Sequence, residues 1–186
     1  MNNRYHQSKE ELQQEAEILQ RCKKDCSNFE LIYDKYYPQI LNFIYLRVDD
    51  KQTAYDLAHQ TFYKALKKID QYEYKGLPYS SYLYRIAQNE LNSLFRSNKK
   101  SRSVDLSEKH INQLQEEIPD ENLIERIHLL KQGIKQLLEA DIRIIEMRFF
   151  ESRPFAEIAD ILGITENNAK VKTYRILDKL RVTLKS

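Results

Sequence analysis

The stretch EIADILGITENNAKVKTYRILDKLR, residues 157–181, decides how this chain is to be read. Ile158, Ala159, Leu162 and Ile164 form a compact apolar set that stops at Gly163. A second helical pattern then opens at Thr165, a residue type suited to capping a helix start. On that second helix Ala169, Thr173, Ile176, Leu177 and Leu180 fall on one side. Asn167, Val171 and Tyr174 point away from it, flanked by Asn168, Lys170, Lys172 and Arg175. A short bracing helix, a glycine turn with small Ala159 at the crossing, and a second helix offering Asn and cations make a helix-turn-helix pattern. Asn can bridge adenine, Arg or Lys can address guanine, and both cations anchor phosphates. The competing reading is a plain helical hairpin with a solvated basic face.

Outward from this motif, composition favours helices. Charged residues make up 31% of the 186, with only 3 Gly and 4 Pro, and we expect an all-α fold of two small helical domains joined by a flexible linker. The formal net charge of +2 hides an ordered separation. A basic cluster (Arg96, Lys99, Lys100, Arg102) precedes an acidic run (Asp105, Glu108, Glu116, Glu117, Asp120, Glu121, Glu125), and the basic C-terminal helix follows. No signal-peptide pattern is present, and ILNFIYLRV is too short to cross a bilayer, so a cytoplasmic protein is expected.

Toward the N-terminus, SKEELQQEAEILQRCKK places Leu12, Ala16 and Leu19 on one stripe, and Ser27 with Glu30 reads as a capping box for the next helix. That helix carries Phe29, Ile32, Tyr33, Tyr36 and Tyr37 and meets Pro38, after which ILNFIYLRV forms a separate segment up to Asp49 and Asp50. Ala54, Leu57, Ala58, Phe62, Ala65, Leu66 and Ile69 mark a long amphipathic helix. QYEYKGLPYSS reads as a loop broken by Gly76 and Pro78, with Ser80 or Ser81 capping the helix YLYRIAQNELNSLFR. Periodicity fails from Ser97 to about Pro119 and returns near Asp120, with DIRIIEMRFF as a buried helix and Ser152 and Pro154 marking the start of the next. The expected division is therefore an N-terminal extension over 1–26, a first domain over 27–98, an acidic linker over 99–119 and a second domain over 120–186.

Fifteen of the twenty aromatic residues lie between Phe29 and Phe95. Most sit on apolar stripes as core. The loop group Tyr72, Tyr74, Tyr79, Tyr82 and Tyr84 is bordered instead by Lys75, Arg85, Asn89 and Arg96, and aromatics beside cations suit stacking on unpaired bases; ordinary packing is the alternative. Cys22 and Cys26 are spaced to share a helix face, so inert thiols, a metal pair or a redox pair all remain open. His6, His59, His110 and His128 are scattered, and neither a nucleophile constellation nor a phosphate-cradling Gly loop is visible. We expect no catalytic residues, no metal, no cofactor and no small-molecule substrate.

The chain also resembles a known family, the bacterial extracytoplasmic-function sigma factors of the sigma-70 family. Their A-x-D-L-x-Q-E-x-F helix is matched by Ala54, Asp56, Leu57 and Phe62, with His59 for the Gln and Gln60 for the Glu. W-L-x-x-I-A-x-N-x-x-x-D-x-x-R is matched by Tyr82, Leu83, Ile86, Ala87, Asn89 and Arg96, with Tyr for the Trp and Ser93 for the Asp. E-I-A-x-x-L-G-I-S-x-x-x-V-K-x-R-x-x-R is met by Glu157, Ile158, Ala159, Leu162, Gly163, Ile164, Thr165, Ala169, Lys170, Lys172 and Arg175.

The resemblance implies a promoter-specificity subunit of RNA polymerase with region two in the first domain and region four in the second. Asp56, Leu57, His59, Gln60 and Phe62 would bind core polymerase. Tyr72, Tyr74, Lys75, Tyr82, Arg85, Asn89 and Arg96 would hold the melted −10 strand. Thr165, Asn167, Asn168, Lys170, Val171, Lys172, Tyr174 and Arg175 would read the −35 duplex. The acidic linker would thread polymerase channels, and a cognate anti-sigma protein is implied as a further partner. The alternative is a free-standing helix-turn-helix regulator that needs no polymerase.

Overall fold

A computed structural model describes residues 7–98, 129–130 and 132–183. Among the described residues all regular structure is helical, as expected. The helices fall into two compact units. The linker over 99–119 and the start of the second domain near Asp120 lie outside the described residues.

The first unit contains α1 (Lys9–Lys24), α2 (Phe29–Tyr45), α3 (Lys51–Lys67) and α4 (Tyr79–Asn98), with short 3₁₀ turns at Cys26–Asn28 and Ile69–Gln71. Helices α2, α3 and α4 pack on one another, and α1 lies against α2 and the Ile69–Gln71 turn. Their shared core takes Ile32, Tyr36, Ile40 and Ile44 from α2, Ala54, Ala58 and Ala65 from α3, and Tyr79, Leu83, Ala87 and Leu91 from α4. The alanines of α3 recur one and then two turns apart on one face, so large side chains of α2 and α4 can approach its backbone closely.

Four local expectations are corrected. The helix does not break at Pro38, which sits inside α2 on its exposed face. Interior proline costs about 3 kcal/mol, but the stripe Ile32, Tyr36, Ile40, Phe43, Ile44 continues across it. Burial at about 1.5–3 kcal/mol for each of these side chains outweighs the lost hydrogen bond. The capping box is not at Ser27 but at Ser8, whose N–H donates to Glu11 Oε2 at 2.6 Å while Glu11 N–H donates to Ser8 Oγ at 3.2 Å. Ser27 lies in the 3₁₀ turn, where its N–H donates to Asp25 Oδ1 at 2.9 Å. Helix α4 starts at Tyr79, so Ser80 and Ser81 are buried in its first turn rather than capping it. Cys22 and Cys26 share no helix face, because α1 ends at Lys24 and leaves Cys22 buried and Cys26 exposed, both as free thiols.

The second unit contains α5 (Glu139–Ile145), which continues as a π turn over Glu146–Phe150, then α6 (Phe155–Leu162) as far as Ala159, and α7 (Glu166–Thr183). Ile142, Ile144, Ile145, Met147, Ile158, Ala159, Ala169, Ile176 and Leu180 are its apolar core. DIRIIEMRFF is a buried helix only as far as Met147; the wider π turn brings Phe149 and Phe150 to the surface. Between α5 and α6, Ser152 takes a left-handed φ of 53° and turns the chain back. Arg153 is 0% exposed, with Nε 2.5 Å from Glu151 Oε2 and Nη1 3.0 Å from Glu157 Oε2. That arrangement ties the first turn of α6 to Glu151, the residue that closes the π turn.

Candidate nucleic-acid interface

The turn between α6 and α7 is built as the sequence dictates. Gly163 has φ +66°, Gly163 N–H donates to Asp160 O at 3.4 Å, and Ile164 N–H donates to Ala159 O at 3.0 Å. This pair of bonds is a Schellman closure, which needs a left-handed residue at the glycine position. No atom lies within 4 Å of where a Cβ would stand, so backbone conformation rather than space selects glycine. Thr165 Oγ1 then accepts from Asn168 N–H at 3.2 Å, capping α7.

Along α7, Ala169, Thr173, Ile176 and Leu180 are buried and Leu177 is half-buried. Thr173 satisfies its hydroxyl on Ala169 O at 2.8 Å. Asn167, Asn168, Lys170, Val171, Lys172, Tyr174 and Arg175 are all exposed, with Tyr174 at 62%. Lys170 Nζ lies 2.8 Å from Glu166 Oε1 in an exposed one-turn pair. The face therefore presents amides, cations and an aromatic ring from one rigid helix, which is the chemistry of groove reading.

In the first unit the tyrosine group separates into two classes. Tyr79 and Tyr84 are core residues; Tyr84 packs edge-on to Phe43 at 4.9 Å between ring centroids. Tyr79 is 0% exposed and forms the floor of a cluster, with Tyr72 at 4.8 Å and Tyr82 at 5.5 Å. Tyr72 and Tyr82 are half-buried rings 5.1 Å apart on that floor. Burial pushes the phenols of Tyr72, Tyr79 and Tyr82 above the usual tyrosine range, so they stay neutral near pH 7.

Following Tyr72 along the chain, Tyr74 (41% exposed) and Lys75 stand exposed in a loop turned by Gly76 at φ +71°. The Arg85 guanidinium lies 5.4 Å from the Tyr82 ring centroid. Asn89 and Arg96 are exposed further along α4, and Arg96 Nε donates to Asn92 O at 3.3 Å. The fold thus brings Tyr72, Tyr74, Lys75, Tyr82 and Arg85 together around one loop, with Asn89 and Arg96 strung out along the helix.

On α3, Asp56, His59 and Gln60 are exposed and Leu57 is half-buried. Phe62 is different. At 3% exposed it packs among Phe29, Tyr33 and Tyr37, so it supports the helix from behind and presents no surface to a partner. His59 stacks on Tyr37 at 5.5 Å and 18°, with Tyr37 Oη 3.2 Å from Nε2. Sequence reading did not connect Tyr37 to this face, because both rings obey helical spacing only within their own helices.

Also missed was α1. Its buried stripe is Leu19 and Cys22 with Glu15 among them, and a carboxylate in an apolar stripe was the available signal. No group of three or more His, Cys, Asp or Glu suited to a metal ion occurs among the described residues. None of the described helices is long and apolar enough to cross a membrane.

Comparison with known proteins follows the same two units. Residues 32–101 match the family model for sigma-70 region 2, and residues 127–180 match that for sigma-70 region 4. The chain is 28% identical over 167 residues to the ECF RNA polymerase sigma factor BldN of Streptomyces coelicolor, covering 88% of this chain and 63% of BldN. It is 26% identical over 155 residues to the RNA polymerase sigma factor YlaC of Bacillus subtilis, covering 82% of this chain and 89% of that one. The solved structure of CnrH in complex with the cytosolic domain of CnrY is similar in fold, with a TM-score of 0.60 at 16% identity over 90% of this chain and 95% of that chain. Two helical units, a glycine-turned hairpin presenting polar and cationic side chains, and matches to both regions in order establish that this chain belongs to the sigma-70 family, in its extracytoplasmic-function branch.

Proposed function

We propose that the chain is a promoter-specificity subunit that acts in the cytoplasm, recruits core RNA polymerase to its start sites and helps open the −10 element. The observation that carries this reading is the split in exposed chemistry. One unit offers tyrosine rings beside cations around a loop; the other offers Asn, Lys and Arg along a capped helix. Opened strands are held by stacking, whereas closed duplex is read through base edges and phosphates, so a protein that must do both needs two such surfaces.

In this reading α7 enters the major groove at −35 with Asn167, Asn168, Lys170, Val171, Lys172, Tyr174 and Arg175, and Thr165 fixes its start. Tyr74 and Lys75 meet an unstacked base against Tyr72 and Tyr82, while Arg85, Asn89 and Arg96 follow the strand. Core polymerase takes Asp56, Leu57, His59 and Gln60. The domains are 27–98 and 120–186, with 99–119 as the tether through polymerase channels. An inhibitory protein partner is part of the proposal, supported by the fold neighbour recorded in complex with another protein's cytosolic domain. No catalytic role is assigned.

Run-off transcription from a genomic promoter library tests the proposal. Start sites should appear only when both chain and core enzyme are present, with weak promoter binding by the chain alone. Tight operator binding by the isolated chain and no change in start sites with core enzyme would establish the free-standing regulator instead.

A further inference from the structure

Helix α1 precedes the matched region-2 segment, yet its two longest polar reaches end on the two ends of the loop that carries Tyr74 and Lys75. Glu15 is 1% exposed. Its Oε1 accepts the Tyr79 N–H at 2.5 Å, and its Oε2 accepts Lys35 Nζ at 2.7 Å and the Tyr36 hydroxyl. Tyr79 is the first residue of α4, so Glu15 supplies from another helix the acceptor that the opening turn of α4 needs. A carboxylate at that end is also favoured by the helix dipole. One turn past Leu19, Lys23 Nζ donates to Tyr72 O at 2.7 Å. The segment 73–78 is thereby held at its leaving end by Lys23 and at its returning end by Glu15.

Ordinary packing of α1 accounts for Leu19 and Cys22, which bury apolar surface. It does not account for burying a carboxylate, which costs several kcal/mol unless every lone pair is used. Here that carboxylate is spent on one backbone N–H at the loop's end and on two side chains of α2 that hold it in place. Two charge-assisted bonds fix the separation and orientation of the loop's two stems, and so constrain where the loop carries Tyr74.

We propose that α1 is a clamp for the strand-capturing loop, with Glu15 and Lys23 as positioning residues that hold its two stems. This rests on the base-capture reading above and adds to it a requirement for residues outside the matched region. The tests are Glu15→Gln and Lys23→Met in the full chain, with Lys23→Arg as the variant that keeps the donor.

Hydrogen exchange of the free protein reads the loop directly. Amides over 73–79 should exchange about tenfold faster or more in both variants, as loss of a charge-assisted bond implies. Amides of α2 and α3 should be unchanged, and Lys23→Arg should behave as the parent. In holoenzyme, permanganate reactivity at −10 should fall to the level of Tyr74→Ala, while affinity for core enzyme and duplex binding at −35 stay at parental values.

Unchanged loop exchange in Lys23→Met, a half-buried position where an unbranched chain of similar length replaces the lysine stem, would overturn the clamp. A uniform rise in exchange across all four helices would overturn it too, since α1 would then be a packing element only. Faster loop exchange with parental strand opening, while Tyr74→Ala is defective, would overturn its role in capture. If Tyr74→Ala itself opens promoters normally, the base-capture reading fails, and faster loop exchange would still support the mechanical hold.

Discussion

Glu157→Ala is the perturbation whose cost can be worked most directly from the structure. It removes the 3.0 Å partner of an arginine that is wholly buried, leaving Arg153 with Glu151 at 2.5 Å. Removing one partner of a buried ion pair costs about 3–5 kcal/mol because the remaining charge is stranded. Retention of Glu151 places the expectation near the lower end, about 3 kcal/mol. A unit of roughly 60 residues has a total stability of about 3–9 kcal/mol at 0.05–0.15 kcal/mol per residue. The variant should therefore leave the second unit close to its unfolding threshold.

Urea denaturation followed by far-ultraviolet circular dichroism is the assay. With a slope of about 1 kcal/mol per molar for so small a unit, the transition of the second unit should move down by about 3 M. The first unit should not move. The double variant Arg153→Met with Glu157→Ala should recover most of the loss, because an unbranched apolar chain fills the site and Glu151 sits nearer solvent. A loss below about 1 kcal/mol in the single variant, which is the range of an exposed pair, would refute the reasoning, as would a double variant no better than the single.

Other outcomes are equally direct. Arg175→Ala should lower affinity for −35 duplex and reduce the slope of log K against log salt by about 0.9; Lys170→Ala should reduce it less, because Glu166 already neutralises part of that charge. Gly163→Ala should destabilise the α6–α7 hairpin by about 1 kcal/mol, since the left-handed conformation at φ +66° penalises a Cβ, readable as a lower thermal midpoint. Asp50 caps α3 by accepting Thr53 N–H at 2.8 Å and Thr53 Oγ1 at 2.9 Å, and these bonds hold its carboxyl below the usual range. Its contribution is present above the ordinary carboxylate range and is lost as pH falls through the lowered value. The difference in thermal midpoint between Asp50→Asn and the parent should therefore be largest near neutral pH and close in acid.

How much of this was legible in the sequence depends on where the deciding contacts lie. The α6–α7 hairpin was readable residue by residue, because Gly163, the Thr165 cap and the buried stripe of α7 all act within one or two turns. The loop tyrosines were only half legible. Tyr79 and Tyr84 belong to the core through partners on α2 and elsewhere, while Tyr74 does not, and spacing along one helix cannot separate them. Pro38 misled because a local rule was outweighed by burial on both sides of it. Phe62 fits a partner-facing motif in sequence but sits behind that face. Glu15 and Lys23 were overlooked for the same reason in stronger form, since their partners lie 64 and 49 residues away.

The end of α1 also has a practical consequence. Burial pushes the Cys22 thiol up, and its side chain is closed to solvent, whereas Cys26 stands exposed in the following turn. Thiolate availability and access therefore act in the same direction. A maleimide dye added under native conditions should attach at one position without any engineering, giving the first unit a ready fluorescent reporter in a chain that has no tryptophan.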